Sequence, residues 1–473
     1  MVDKQSSSSE AGLVAEFERA LGAIRARVSA WMPDHGGKSS PMAVAYSGGL
    51  DSAVLLHLAH AYAAVRGIRL HAFHVHHGLS PNADDWMQRC EQQCAQLDVP
   101  FEARRITLDG ARRHGVEQAA RNARYAALGA LCASHAVPLL ITGHHQDDQA
   151  ETVLLQLFRG SGVAGLSGMD AANRAPALLG NEHLVMGRPM LGITRSQLEQ
   201  YAAMHGIDHV EDESNADPRY ARNALRHRVM PVIGQHFQGY QERIARSASH
   251  AQAAQRILDE VAAQDLERCS EGEAIRLSAL KAFSDDRCNN LLRYWLASHG
   301  LRMPAAAWLD EMRIQLFSAK EDARIRITHA DGEIRRHRDR IHLTRRFDDR
   351  DLEMPAVDFR WGGEESLRFE RYGGTLHFEE KSNGIDPAWL RGQSLQLRFR
   401  LAGDRLKLGA NRPTRSLKQH YQALGIPHWE RERLPVVTAG GRMLYAGGIG
   451  MHWHDEAPGS ENGMALRWVP DQA

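Results

Sequence analysis

The chain has 473 residues and a mass of 52.8 kDa, the length of about three domains at roughly 150 residues each. Hydrophobic residues make up 43% and charged residues 25%, a balance that excludes a mostly disordered, collagen-like or disulfide-stapled chain. Lysine plus arginine equal aspartate plus glutamate at 58 each, so overall charge singles out no class of partner. No window approaches ~18 consecutive apolar residues, and no transmembrane helix is expected. The start, MVDKQSSSSEAGLVAEFERA, has neither an apolar segment nor a cleavage site, which argues against a secretory signal. Five cysteines without a CxxC pair read as reduced thiols of a cytoplasmic protein.

Residues 1–38 read as a leader carrying an amphipathic helix near 13–31. From residue 39 a βαβ rhythm begins. MAVAY (42–46) predicts a strand, and the apolar run after SGGLDS a helix. RLHAFHVHH (69–77) predicts a second strand and 85–97 a second helix. FEARRITL (101–108) is a third strand, followed by a helix over 117–135. VPLLITGH (137–144) is a fourth strand with a helix over 148–158. HLVMGRPML (183–191) is a fifth strand, before a helix over 196–206. This alternation predicts a doubly wound parallel sheet covered by helices on both faces, over 39–235. Residues 236–350 read as a mostly helical domain with an arginine-dense end (335–346). Residues 355–473 read as a small β-rich domain of α+β character.

The strongest chemical signal is Tyr46-Ser47-Gly48-Gly49-Leu50-Asp51-Ser52 between a strand and a helix. Two glycines allow a tight turn and close approach to an anion. Ser47, Ser52 and the backbone amides of Gly48, Gly49 and Leu50 face phosphate at a positively polarised helix start. Asp51 would repel phosphate unless a cation lay between them, which argues for Mg²⁺ at Asp51. The plainer alternative is an ordinary strand–turn–helix junction. The second signal is Thr142-Gly143-His144-His145-Gln146-Asp147-Asp148. Here Asp147 or Asp148 can cap a helix, or hold Mg²⁺ and accept a proton from an amine. His74, His76 and His77 with His144 and His145 invite a zinc reading, but their spacing matches no standard ligand set.

SGGxDS in this context resembles the pyrophosphate loop of the N-type ATP pyrophosphatases (the PP-loop superfamily). The stretch from Thr142 through LLQLFRGSGVAGLSGM resembles, more narrowly, the signature of the tRNA(Ile)-lysidine synthases in their long, three-domain form. HVHHGL (74–79), the helix pattern Glu117, Ala120, Arg121, Arg124, Tyr125, and RPML with its following arginine, leucine and tyrosine (188–201) are similar to that family. So is 211–231, with Asp212, Asn215, Arg222, Asn223 and Arg226 in the family's places, and so is 403–437. The resemblance implies an adenine-nucleotide α-hydrolase-like fold. It also implies ATP bound at Ser47–Ser52 and His144, with Asp51, Asp147 and Asp148 as catalytic residues. The partners implied are L-lysine and an isoleucine tRNA with a CAU anticodon. No zinc or iron–sulfur cluster is expected, and a homodimer is compatible with the chain although no motif specifies one.

For tRNA contacts the sequence offers Arg121 and Arg124 on the helix at 117–135. It also offers Arg222 and Arg226 beside Tyr220 and Asn223, a mixture suited to a single-stranded loop. Residues 391–437 hold ten Lys/Arg against three Asp/Glu, including Arg405, Arg415 and Lys418, with Tyr421 and Trp429 as rings on which bases stack. In each case a solvated basic face is the plainer alternative. Two rival functions remain. A 2-thiocytidine enzyme shares the loop but would need cluster-binding cysteines, usually in CxxC pairs. A non-catalytic RNA-binding protein would leave the loop and the aspartate pair unexplained.

Overall fold

The computed structural model of the chain describes residues 2–32, 39–76, 78, 80–106, 116–210, 221–320, 323–346, 354–382, 384–453, 459–460 and 462–471. The chain divides into two compact units, Met1–Val261 and Ala262–Ala473.

The first unit begins with α1 (Val2–Trp31), β1 (Met42–Ala45), α2 (Leu50–Arg66), β2 (Leu70–His76), α3 (Ala83–Gln96), β3 (Phe101–Arg105) and α4 (Val116–Ser134). It continues with β4 (Leu139–Ile141), α5 (Gln146–Phe158), α6 (Val163–Leu166), β5 (Ala172–Arg174), α7 (Pro176–Leu179), β6 (Val185–Gly187) and α8 (Arg195–His205). Then come α9 (Ala221–Ala224), a π-helical turn (Leu225–Val229), α10 (Met230–His236) and α11 (Tyr240–Cys269), which spans the boundary between the units. The strands form one sheet in the order β3-β2-β1-β4-β6-β5. All pairings are parallel except that of β5 with β6.

Alternation along the strands creates the two faces. On β1, Met42 and Val44 enter a core shared with Phe17, Leu21 and Leu55 from α1 and α2. Ala43, between them, faces the opposite core with Leu128 and Leu131 of α4. On β4, Leu139 and Ile141 join the first core and Leu140 the second. A parallel sheet buried on both sides needs such continuous apolar runs, because each face must cover a helix layer. The predicted doubly wound architecture is therefore present. Strand order reverses at β1, which lies between β2 and β4, and ligands bind at the carboxyl ends of strands at such a point. Both motif loops leave from there.

Three local details differ from the sequence expectation. The edge strand β5 was not expected, and three residues leave too short a pattern to read. Helix α1 begins at Val2, well before residue 13. Helix α5 starts at Gln146 with His145 as its N-cap, so neither Asp147 nor Asp148 is the cap. Both sit in the first turn, and Asp148 Oδ2 accepts the His145 backbone N–H at 3.2 Å.

In the second unit, α12 (Leu277–Leu280), α13 (Asp285–Ser298) and α14 (Ala306–Ser318) share a core around Trp295 with a five-stranded antiparallel sheet. The arginine-dense end is a hairpin of that sheet, Glu333–His337 against Arg340–Thr344. Farther along, Val357–Phe359, Leu395–Phe399, Pro435–Ala439, Arg442–Ala446 and Gly450–Met451 make a second sheet. Ser366–Phe369, Gly374–Lys381, Gly463–Pro470, Gly384–Ile385 and Gly459–Ser460 make a third. Inward residues of these two sheets, Leu376, Leu395, Leu397 and Val437 among them, meet in one core. Arg405–Leu406 pairs with Arg415–Ser416 as a separate two-stranded ribbon.

Candidate active site

The loop after β1 turns on Gly48, whose φ of +87° is open to glycine and strained for other residues. A Cβ there would also lie 2.7 Å from Cys90 Sγ. Ser47 Oγ and Ser52 Oγ stand 3.0 Å apart, and Ser52 donates to Gly49 O at 2.9 Å. The two hydroxyls thus close the turn while the first amides of α2 have no intrahelical acceptors. His74 Nδ1 donates to the Tyr46 carbonyl at 2.9 Å, which fixes the strand end from which the loop leaves.

The loop opens on a cavity of about 650 Å³ whose lining includes Ser47, Asp51, His144, Asp148, Arg195 and Arg226. His145 sits under it with a side chain that is fully buried. Its Nε2 is 3.7 Å from Asp51 Oδ2 and 3.4 Å from Asp148 Oδ2, while Nδ1 is 3.6 Å from Asp147 Oδ2. These separations exceed hydrogen-bond length but are short for charges. Burial alone would lower the imidazole's pKa, yet Asp147, Asp51 and Asp148 together raise it to about 10. A cation thus links the pyrophosphate-type loop to the first turn of α5.

Asp147 Oδ2 accepts the Arg195 backbone N–H at 2.9 Å and Oδ1 accepts from Gln241 at 3.2 Å. Burial would raise this carboxyl, but His145, the Arg195 amide and Gln241 pull it down to about 2. Asp148 Oδ1 accepts from Arg222 at 3.0 Å and from Arg226 at 2.8 Å. Burial opposes ionisation of Asp148 too, but His145 and Arg222 hold its pKa below the ordinary carboxylate value. His144 is the opposite case. Burial outweighs the pull of Asp148 and, with Arg188, Arg222 and Arg121 nearby, drives its pKa down to about 3. Its Nδ1 lies 2.8 Å from Thr142 Oγ1.

The structure therefore brings Ser47–Ser52, His144, Asp147 and Asp148 into one site. It also shows what Arg222 and Arg226 touch: each contacts both Asp148 and Glu151. Glu151 and Arg195 lie in stretches that carry the family resemblance but had no role assigned to them, and Gln241 escaped the sequence reading. The signal for Glu151 was present. Asp148 and Glu151 are three apart on one helix, and Arg222 and Arg226 are four apart, the spacings that put each pair on one face. Arg222 belongs to α9 and Arg226 to the π-helical turn that follows it, a feature common at functional sites.

Arg124 lines the cavity and Arg121 is exposed, with their guanidiniums 5.4 and 5.1 Å from the Tyr125 ring. Asp212, Asn215, Arg219 and Tyr220 lie outside the described residues. In the second unit Arg405, Arg415 and Lys418 are exposed. The stacking role expected of Tyr421 and Trp429 is corrected by their burial, at 0% and 3% exposure. Tyr421 donates to Gly447 O and Trp429 packs among His342 and His428, so neither ring is open to a base.

Three family models match in order: a PP-loop domain over 21–233, a TilS substrate binding domain over 276–342 and a TilS substrate C-terminal domain over 395–468. The chain is 39% identical over 465 residues to a tRNA(Ile)-lysidine synthase of Burkholderia pseudomallei, covering 91% of this chain and 94% of that one. It is 39% identical to the synthase of Ralstonia nicotianae (91% and 92% covered) and 40% identical to that of Alkalilimnicola ehrlichii (88% and 91% covered). With identity at this level along nine-tenths of its length, the chain belongs to the tRNA(Ile)-lysidine synthase family.

Proposed function

We propose that this chain ligates free L-lysine to the 2-position of the wobble cytidine of the CAU-anticodon isoleucine tRNA. In this reaction ATP yields AMP and pyrophosphate. The product, lysidine, shifts decoding from AUG to AUA and the identity of the tRNA from methionine to isoleucine. The observation that carries the reading is the convergence of Asp51, Asp147 and Asp148 within 4 Å of one buried imidazole. It joins the nucleotide-type loop to an anionic helix start in a single cavity. No described helix is long and apolar enough to cross a membrane, and the reaction is set in the cytoplasm with its tRNA.

In the first step the cytidine 2-carbonyl oxygen attacks the α-phosphorus, the bond to the β-phosphate's bridging oxygen breaks, and pyrophosphate leaves. Ser47, Ser52 and the free amides of α2 hold the departing charge. In the second step the lysine ε-amine attacks carbon 2, the carbon–oxygen bond breaks, and AMP carries that oxygen away. Asp147 and Asp148, kept ionised by their surroundings, suit pairing with the lysine ammonium. Their low proton affinity makes proton uptake the weaker part of their role.

Mg²⁺ fits the same site. Asp51 Oδ1 is buried without a hydrogen-bond partner among the described residues, and a nucleotide-borne Mg²⁺ needs only one or two protein carboxylates. At Asp51 it would neutralise charge developing on the phosphates.

Three variants test the division of labour. Asp51→Asn should cut tRNA-dependent pyrophosphate release by roughly 10²–10³-fold, and an unchanged rate contradicts the nucleotide role. Asp147→Asn or Asp148→Asn should raise the KM for lysine, and full turnover at low lysine contradicts the ammonium role.

A further inference from the structure

We infer that Gln93 of α3 is a positioning residue that ties the pyrophosphate-type loop to the cavity wall at residues 208–210. The inference deepens the proposed reaction and rests on the loop being the nucleotide site. Gln93 Oε1 accepts from the Tyr46 hydroxyl, and Gln93 Nε2 donates to the Asp208 carbonyl at 2.7 Å. Two residues on, the Val210 N–H donates to the Gly48 carbonyl at 2.9 Å. Three hydrogen bonds thus close a ring through Tyr46, Gln93, Asp208, Val210 and Gly48. His209 and Val210 line the same cavity as Ser47 and Asp51.

The chemistry explains the residue type. A carboxamide can accept from a phenol and donate to a carbonyl at once, which neither glutamate nor an aliphatic side chain can do. Burial keeps Tyr46 in its neutral, donating form. One helical turn before, on the same face of α3, Cys90 Sγ lies 2.7 Å from where a Cβ at Gly48 would stand. The loop is therefore shaped by contacts with α3 and with residues 208–210, neither of which belongs to the β1–α2 unit that carries it. A loop that must present several donors to phosphate loses affinity when its backbone is free to shift by a fraction of an ångström.

The test uses the full chain with Mg²⁺ and a non-hydrolysable α,β-methylene ATP, titrated to equilibrium, with thermal midpoints and the KM for lysine measured alongside. Gln93→Met, which keeps length and removes both bonds, should weaken the analogue about tenfold. The KM for lysine should stay within about twofold. Tyr46→Phe should weaken the analogue less, and the double variant no more than Gln93→Met alone, because the bonds form one strut. Equal affinity in wild type and a folded Gln93→Met, or an additive double variant, overturns the inference. Should Gln93→Met fail to fold, Tyr46→Phe decides, with unchanged affinity counting against the strut. A wild-type chain that binds no analogue overturns the nucleotide reading and this inference with it. Binding by wild type and variant alike overturns the inference alone.

Discussion

Basic side chains do different work in the two units. At the candidate site of the first unit, Arg222, Arg226 and His145 each lie against carboxylates, and those carboxylates are buried or nearly so. On the ribbon of the second unit and the helix start that follows it, residues 405–418 hold five Lys/Arg and no Asp/Glu, and Arg405, Arg415 and Lys418 face solvent. The first arrangement organises a site by satisfying charge internally. The second leaves positive charge facing solvent. An arginine count alone does not separate the two. The partner and its burial do.

The sharpest way to break the comparison is Arg226→Met. It leaves Glu151 and Asp148 with one guanidinium between them, in a place where uncompensated charge is costly. Urea unfolding should show a loss of about 3–5 kcal/mol, and a loss under about 1 kcal/mol would mean that the cluster is no more than a surface network. The ribbon should respond in the opposite sense. Replacing Arg405, Arg415 and Lys418 together by alanine should leave stability and the KM for ATP nearly unchanged. It should weaken tRNA binding and reduce the salt slope of log Kd by about 2–3. An unchanged slope would remove the ribbon from the tRNA interface.

The smallest expected effect concerns pH, and its sign differs between His145 and the buried neutral histidines. The pKa of His145 is raised to about 10, above its unfolded value of about 6.5. Its contribution to stability is complete below about pH 6.5 and is lost as pH rises through 10. His342 and His428 are lowered to about 4. Burial is the first cause, supplemented by His337 and Arg340 for His342 and by Arg324 and Arg335 for His428. In them the neutral form favours folding, so stability holds above about pH 6.5 and is lost as pH falls towards 4. Hydrogen exchange on the full chain at pH 5, 7 and 9.5, resolved by segment, should show the strand that carries His342 less protected at pH 5 than at pH 7, and the α5 start less protected at pH 9.5 than at pH 7. Protection of the α5 start unchanged between pH 7 and pH 9.5 would contradict the charge assigned to His145.

Much of the first unit was legible because parallel strands buried on both faces must be apolar throughout, and MAVA and LLI could hardly be anything else. The loop was legible because Gly-Gly followed by Asp and Ser at a helix start has few other uses. What escaped depended on distance in the fold. Gln93 and Gln241 bond partners 47 to 115 residues away, and nothing in the sequence near them announces it, whereas Glu151, whose arginine partner is 71 residues away, at least shares a helix face with Asp148. Tyr421 and Trp429 looked available because they sit among basic residues. An aromatic ring in a short helix is equally good as core, and Tyr421 is part of a cluster with Leu406, Leu417 and Val436.

One measurement tests the central claim most directly. Purified chain, Mg-ATP and radiolabelled lysine are incubated with two transcripts, the CAU-anticodon isoleucine tRNA and elongator methionine tRNA. The account predicts label in the isoleucine transcript only, with AMP and pyrophosphate released in equal amount to the lysine incorporated. Label in both transcripts would contradict the assigned selectivity, and pyrophosphate release without any label would contradict lysine as the nucleophile.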